Sequence, residues 1–477
     1  MTAPRGKSLL IAGCVAALIV TAAIFFVASF DSNHYKPKFE TAASVATGLD
    51  VRIHGKMGLS FFPFGITAED IHVGGSGSEI LSLDTLNIRM KLLSLLKKQY
   101  EVIGCELVKP VVTVVKDAAG RYNFESKEKK ATGNWLQTVA GLRELRLSKG
   151  SLVYLDRKTG EKTELLDVTL AVKDLSFGDA AGDVLKSVSF SGNMECRELR
   201  KKTLLIRNVR SSLQAEKGVC HLKPFTMDIF GAKGEGAATV DWSGAAAVYA
   251  FNVKVPQLDF EKLEEAIGAR RVIGGKGDLL ASLTIKKQGG RTLLGSMDGT
   301  FSLRGDNLVI YTMDLDKVLS KFETSQEFNL VDLGAFFVAG PLGTLATGWY
   351  RYGDLYRQTR GGQGAITQFI SQWEIRSGVA DATDCGLATP HNRVALKGRL
   401  NLVSERYENV IVALLDDQGC AKFTQSISGS FGKPAFSGVT TVDSLAGPII
   451  KLYRKAKRLV QGGTCEVFYS GSVQPSR

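Results

Sequence analysis

Two pairs of carboxylates stand close enough in the chain to divide acid and base roles, Asp416 with Asp417 in "LDDQGC" and Asp314 with Asp316 in "DLDKVL". Both fall where the chain reverses or a helix begins, and there an Asp side chain serves to cap backbone N–H groups. The five histidines, His34, His54, His72, His221 and His391, have no ligand spacing along the sequence and read as solvated or turn residues. "GARRVIGGKGD" offers glycines and a lysine to a phosphate, but Gly277 follows Lys276 where a phosphate loop carries Ser or Thr. It reads as a turn between a helix and a strand. No GxSxG elbow, HExxH pair or CxxC pair occurs. The expectation is a protein that is not an enzyme and takes no cofactor.

Cysteine chemistry is the other possibility. Cys14 lies in an apolar run, and the remaining six are Cys105, Cys196, Cys220, Cys385, Cys420 and Cys465. An oxidising compartment would pair some of them, in any of fifteen connectivities; six free buried thiols are the alternative.

The elements that would hold these residues begin with Leu9–Phe30, "LLIAGCVAALIVTAAIFFVASF", which carries no charge and is long enough as a helix to cross a hydrocarbon core of roughly 30 Å. It exceeds the apolar region of a secretory signal and has a poor cleavage pattern before Asp31, so it is expected to be an uncleaved anchor. Arg5 and Lys7 before it are matched by Lys36 and Lys38 after it, so charge alone barely sets its orientation.

Beyond the anchor the hydrophobic pattern has a period of two. Leu86, Ile88, Met90 and Leu92 alternate with Asn87, Arg89 and Lys91, and Tyr249, Phe251, Val253 and Val255 with Ala250, Asn252 and Lys254; the same reading fits Leu279, Ala281, Leu283 and Ile285. Phe301 and Leu303, Leu308 and Ile310, Leu400 and Leu402, and Val410, Val412 and Leu414 continue the series. "DAAGRYN", "DRKTGEK", "RGDN" and "LDDQGC" read as the reversals between strands. The segment "VIGCELVKPVVTVVKDAAGRYNF" is echoed by "LRELRLSKGSLVYLDRKTGEKTEL", and a mostly meandering sheet is expected. Pro110 suits the first residue of a strand. The run Val111, Val112, Val114 and Val115 is apolar on both faces; a packed core and a face lining something greasy explain it equally.

Helical spacing is confined to Phe260–Gly268, Asp314–Phe328, Ala365–Ile375 and Ser444–Gly463. The last carries Lys451, Arg454, Lys455, Lys457 and Arg458 beside Ile449, Ile450, Leu452, Tyr453, Leu459 and Val460. Such a helix caps a sheet with a solvated basic side or lies on an anionic membrane. The formal charge of +12 suits anionic partners in general, but no aromatic stacking platform interleaves the Lys and Arg residues, so nucleic acid is not expected. The 51 glycines against 11 prolines fit many tight reversals.

A family resemblance rests on the order of motifs: the anchor, "TG" before a strand with Gly55, the "FFPFGI" turn, "LLSLL", the "IGCELVKP" strand and "GRYNF". Together with "HNRVALKGRLNLVSERYENVIVALLDDQGCAKFTQSISGSFGKP" and "CEVFYSGSV", this order resembles the AsmA family of inner-membrane-anchored periplasmic proteins. The similarity is weakest between about Ser176 and Asp298.

The resemblance implies a long curled antiparallel sheet with an apolar concave side, related to bridge-like lipid-transfer proteins, and a disulfide between Cys420 and Cys465. It places a single span in the inner membrane and the bulk of the chain in the periplasm. It further implies binding of phospholipid or another acyl lipid, in lipid transport or outer-membrane assembly, with outer-membrane assembly proteins as further partners. Expected boundaries are a tip at 1–8, the anchor at 9–30, β regions at 31–180 and 181–440, the basic helix at 441–463 and a terminal strand at 464–477. Alternation alone selects Leu86, Ile88, Met90, Val112, Val114, Phe251, Val253 and Ala281 as groove-facing candidates. A scaffold that acts through protein partners by adding strands, without carrying lipid, is the alternative function.

Overall fold

The structure is a computed structural model and describes residues 36–61, 63–74, 79–91, 101–123, 141–177, 186–266, 271–287, 290–311, 314–317, 362–436, 440–441 and 465–475. The anchor Leu9–Phe30 and the helix expected at Ser444–Gly463 lie outside the described residues. Among the described residues no helix is long and apolar enough to cross a membrane. The chain is mainly β with few helices, and it divides into two compact units, residues 1–179 with 189–199, and residues 180–188 with 200–477.

The first unit holds α1 (Lys36–Thr47), β1 (Asp50–Ile53), β2 (Met57–Phe61), β3 (Phe64–Gly74), β4 (Glu79–Met90), β5 (Val102–Val108), β6 (Val111–Lys116), β7 (Glu144–Asp156), β8 (Glu161–Phe177) and most of β9 (Val188–Lys201). β1 and β2 both pair with β3, β3 pairs with β4, and β4 pairs with β5 and then β6 along one line. α1, which the sequence pattern did not reveal, lays Phe39 and Ala43 on Val51, Ile53, Ile71 and Val73.

Pro110 sits at the break between β5 and β6, inside a strand line whose register is unbroken and not at a free strand end. Its missing N–H costs nothing there, because the neighbouring groups keep partners: Lys109 N–H donates to the Ser148 carbonyl at 2.7 Å, and the Pro110 carbonyl accepts from Ser151 N–H at 2.7 Å. β5 and β6 both run parallel to β7, each residue paired with the one forty positions later, from Gly104 with Glu144 to Lys116 with Asp156. The two echoed segments thus lie side by side in register. The sheet is mixed, not wholly antiparallel, because this alignment brings the apolar phases of the two copies together, Leu107 beside Leu147 and Val112 beside Leu152.

The second unit is an antiparallel meander of β10 (Leu204–Glu216), β11 (Val219–Ile229), β12 (Ala232–Asp241), β13 (Val248–Asp259), α2 (Phe260–Ala266), β14 (Ile273–Gly274), β15 (Lys276–Lys286), β16 (Met297–Ile310), β17 (Gly364–Arg376), β18 (Val379–Ala388), β19 (Arg393–Asn401), β20 (Arg406–Leu415), β21 (Ala421–Ser430), β22 (Lys433–Phe436) and β23 (Thr440–Thr441). Two expectations fail here. Ala365–Ile375 is the core of strand β17, not a helix. The strand is paired on both edges and buried on both faces, with Phe369 and Trp373 in one cluster and Ile370 in another, and apolar residues at both parities imitate helical spacing. "RGDN" is likewise no reversal: it lies within β16, where Asn307 takes φ +52°.

That conformation recurs. Asp70 in β3, Lys149 in β7, Asp167 in β8, Asn208 in β10, Gln257 in β13 and Asn409 in β20 are all left-handed inside strands. At Lys149, Asp167, Asn208, Gln257 and Asn409 the pairing register shifts by one residue, as at a β-bulge, whereas at Asp70 the alternation changes with the β3–β4 register unbroken. Phe301 and Leu303 before Asn307 join Leu308 and Ile310 after it in one core, and Ala68 before Asp70 joins Ile71 after it. Asp and Asn tolerate this backbone region best.

α2 is tied down by Glu264, whose carboxylate accepts the N–H groups of Val272 at 2.9 Å and Ile273 at 3.1 Å. Burial pushes its carboxyl up to about 7 against the pull of those donors. The folded state therefore holds this proton more tightly than the unfolded chain. Stability from Glu264 is full below about 4.5 and is lost as pH rises through about 7. Unfolding free energies from denaturant titrations across that window are expected to fall by up to roughly 3 kcal/mol in the parent relative to Glu264→Gln.

Candidate functional site

In the first unit, strand pairing lines up Ala68, Leu86, Leu107, Leu147 and Leu170 across five strands, with Ile66, Ile88, Cys105, Leu145 and Val172 as the adjacent row. Leu86, Ile88, Leu107, Leu145, Leu147 and Leu170 are all half-buried. Burial pushes the Cys105 thiol up to about 11, so it stays protonated and serves as one more apolar lining group. Met90 sits at the end of this face opposite Val102; Val112 pairs with Leu81 and Leu152, and Val114 with Tyr154, all half-buried. On the reverse side the pattern is polar: Thr67 donates to Asn87 at 3.0 Å, Asn87 to Glu106 at 3.1 Å, and Arg89 to Glu144 at 2.6 Å. Gly104 has no room for a Cβ because the Arg89 guanidinium lies across it.

The second unit has an apolar face graded from closed to open. Val255, 1% exposed, and Leu279 are closed over at the α2 end with Phe260 and Leu263. Val253 pairs with Ala281, and both pack partly against the core; the next row, Ala238, Phe251 and Leu283, leaves Phe251 37% exposed. Beside them on β12, Gly234 and Gly236 let Met227 and Phe225 lie across the sheet, since a Cβ would strike either side chain. The row of Ala281 continues through Phe301 to Trp373, which is 1% exposed. None of the eight residues selected by alternation is fully buried, and none is joined to a titratable group that could do chemistry.

The chemical candidates resolve into structure. Asp416 accepts the N–H groups of Gln418 at 2.9 Å and Cys420 at 2.8 Å, and Asp316 accepts from Thr389 at 2.5 Å and Asn392 at 2.8 Å. Lys276 and Gly277 begin β15, where Gly277 makes room for the ring of Phe260. Cys420 and Cys465 form a disulfide, whereas Cys105, Cys196, Cys220 and Cys385 are free. The bridge holds the terminal segment against the outer side of β17–β20, where Tyr469 and Val473 pack on Ile370, Ala395 and Ala413, and Arg393 donates to the Val473 carbonyl at 3.2 Å. The histidines are less scattered than their spacing suggests, because β1–β3 pairing brings His54 within 4.7 Å of His72, ring centre to ring centre. Spacing along the chain misses such a pair; aligning the alternation of the two strands would have found it.

An amphipathic β surface of this kind, in a chain built from an in-register repeat, can be set against known families. The sequence profile of the AsmA family matches residues 5–196 and again 187–385. The chain belongs to the AsmA family. That family falls in the bridge-like lipid-transfer group. The second matched region runs through the stretch where the resemblance of motifs is weakest, and the match ends short of the disulfide-linked tail. No individual curated protein matches this AsmA-family chain.

Proposed function

We propose that this protein is a non-enzymatic envelope protein, anchored in the inner membrane by Leu9–Phe30, whose periplasmic apolar β-groove carries acyl chains in phospholipid transport or outer-membrane assembly. The observation that supports this reading is the set of incompletely covered apolar residues, the row Leu86–Leu107–Leu147–Leu170 in one unit and the pair Phe251–Leu283 in the other. Side chains of a finished core are buried; these stop halfway, at the depth where a hydrocarbon guest completes the burial. At about 0.8 kcal/mol per buried CH₂, a sequestered sixteen-carbon chain gains on the order of 10 kcal/mol. Exposed ion pairs to a headgroup contribute about 0 to 1 kcal/mol each, so the tail and not the headgroup supplies the affinity.

The full chain, purified in a synthetic detergent and washed extensively, is expected to yield phospholipid on solvent extraction and mass spectrometry. Repeated preparations with no lipid above that of an unrelated single-span protein would overturn the reading.

A further inference from the structure

The solvent side of β1 and β3 gathers four side chains that neither the apolar face nor the core uses. His54 lies opposite Asp70, with His54 N–H bonded to the Asp70 carbonyl at 2.8 Å, and Arg52 is the partner of His72, so His54, Asp70 and His72 share one face as direct and diagonal neighbours. The left-handed backbone of Asp70, φ +52°, sets its carboxylate between the imidazoles. His72 Nε2 stands 3.0 Å from one Asp70 oxygen and His54 Nδ1 4.0 Å from the other. On its far side His72 Nδ1 lies 2.7 Å from Glu79. The backbone around His54 is held from behind: Gly55 approaches Glu69 too closely to bear a Cβ, Lys36 donates to the Gly55 carbonyl at 3.1 Å, and Glu40 accepts the Ile53 N–H at 2.7 Å.

We infer that His54, Asp70 and His72 form a binding site for a zinc-class divalent ion, with Glu79 as the outer partner that orients His72. A surface ion pair needs one imidazole, yet here a second is brought up to the same carboxylate at 4.0 Å, too far for a hydrogen bond. One candidate ligand atom from each residue lies within 4.8 Å of the others. Atoms bound about 2.0–2.1 Å from one zinc ion are themselves about 3–4 Å apart, so small side-chain movements would close the set. Two imidazole nitrogens with one carboxylate suit zinc, copper or nickel over calcium or magnesium and leave an open position for water. A carboxylate on the far nitrogen of a ligating histidine fixes its orientation, the place Glu79 occupies. Among the described residues one other group comes as close, Asp416 with Cys420 and Cys465, but its sulfurs are spent in the disulfide. A bound ion would clamp the β1–β2 turn to β3.

The test uses the full chain in detergent, stripped of metal and titrated with zinc chloride alone by calorimetry, with cobalt absorption as a second readout. One zinc per chain is expected, together with a rise in the melting temperature. His54→Ala and His72→Ala should abolish this binding, and Glu79→Gln should weaken it about 10- to 100-fold. Metal-free melting curves matching the parent establish that the variants are folded, and His72→Gln replaces His72→Ala if that variant does not fold. Absence of zinc binding, or binding unchanged in the His54→Ala/His72→Ala double variant, would overturn the inference.

Discussion

Phe251→Asp is expected to remove most of the co-purifying lipid from the second unit while leaving the fold intact. Phe251 is 37% exposed and sits in the open row between Ala238 and Leu283, so a carboxylate there reaches water when the face is empty. With an acyl chain laid over the row, the same carboxylate must be desolvated or displace the guest. Either costs several kcal/mol, which corresponds to a loss of lipid occupancy of at least about 100-fold. Lipid per chain by mass spectrometry, beside the unfolding curve of the same preparation, gives the result. A folded variant with parental lipid content would remove the groove from the second unit. If that variant had also lost protein partners, the scaffold reading would gain.

The reverse behaviour is expected of Trp373→Ala. Trp373 belongs to the row that begins at Ala281 and passes through Phe301, but at 1% exposure it lies in the closed part, and its indole N–H donates to the Ser371 hydroxyl at 2.8 Å. Truncation leaves a cavity among Phe301, Ile375 and their neighbours, at a cost of about 3–5 kcal/mol. Chemical denaturation should show a large fall in midpoint, with Trp373→Phe between the two. A loss under about 1 kcal/mol would mean that the closed part of the face is looser than its burial implies. Two aromatic residues on one apolar face thus separate binding from folding.

The strands were legible because period-two alternation follows from backbone geometry: Tyr249, Phe251, Val253 and Val255 do share a face, as do Leu279, Ala281, Leu283 and Ile285. The disulfide was legible only through the family resemblance of the tail. Ala365–Ile375 was misread because a strand buried on both faces has no polar side to reveal its period. The "RGDN" segment was misread because the residue types that make a reversal also make a bulge, and only the partner strand distinguishes them.

By itself the sequence determined the β class, the echo of "VIGCELVKPVVTVV" in "LRELRLSKGSLVYL", and the membership of the family, since each depends on local pattern or on the order of motifs. Tertiary structure decided that the two echoed copies lie parallel in register, where left-handed Asp and Asn residues shift the alternation from one side to the other, and that His54 meets His72. These depend on which strand lies beside which. Strand pairing is a contact between residues distant along the chain, and a pattern of near neighbours carries no record of it.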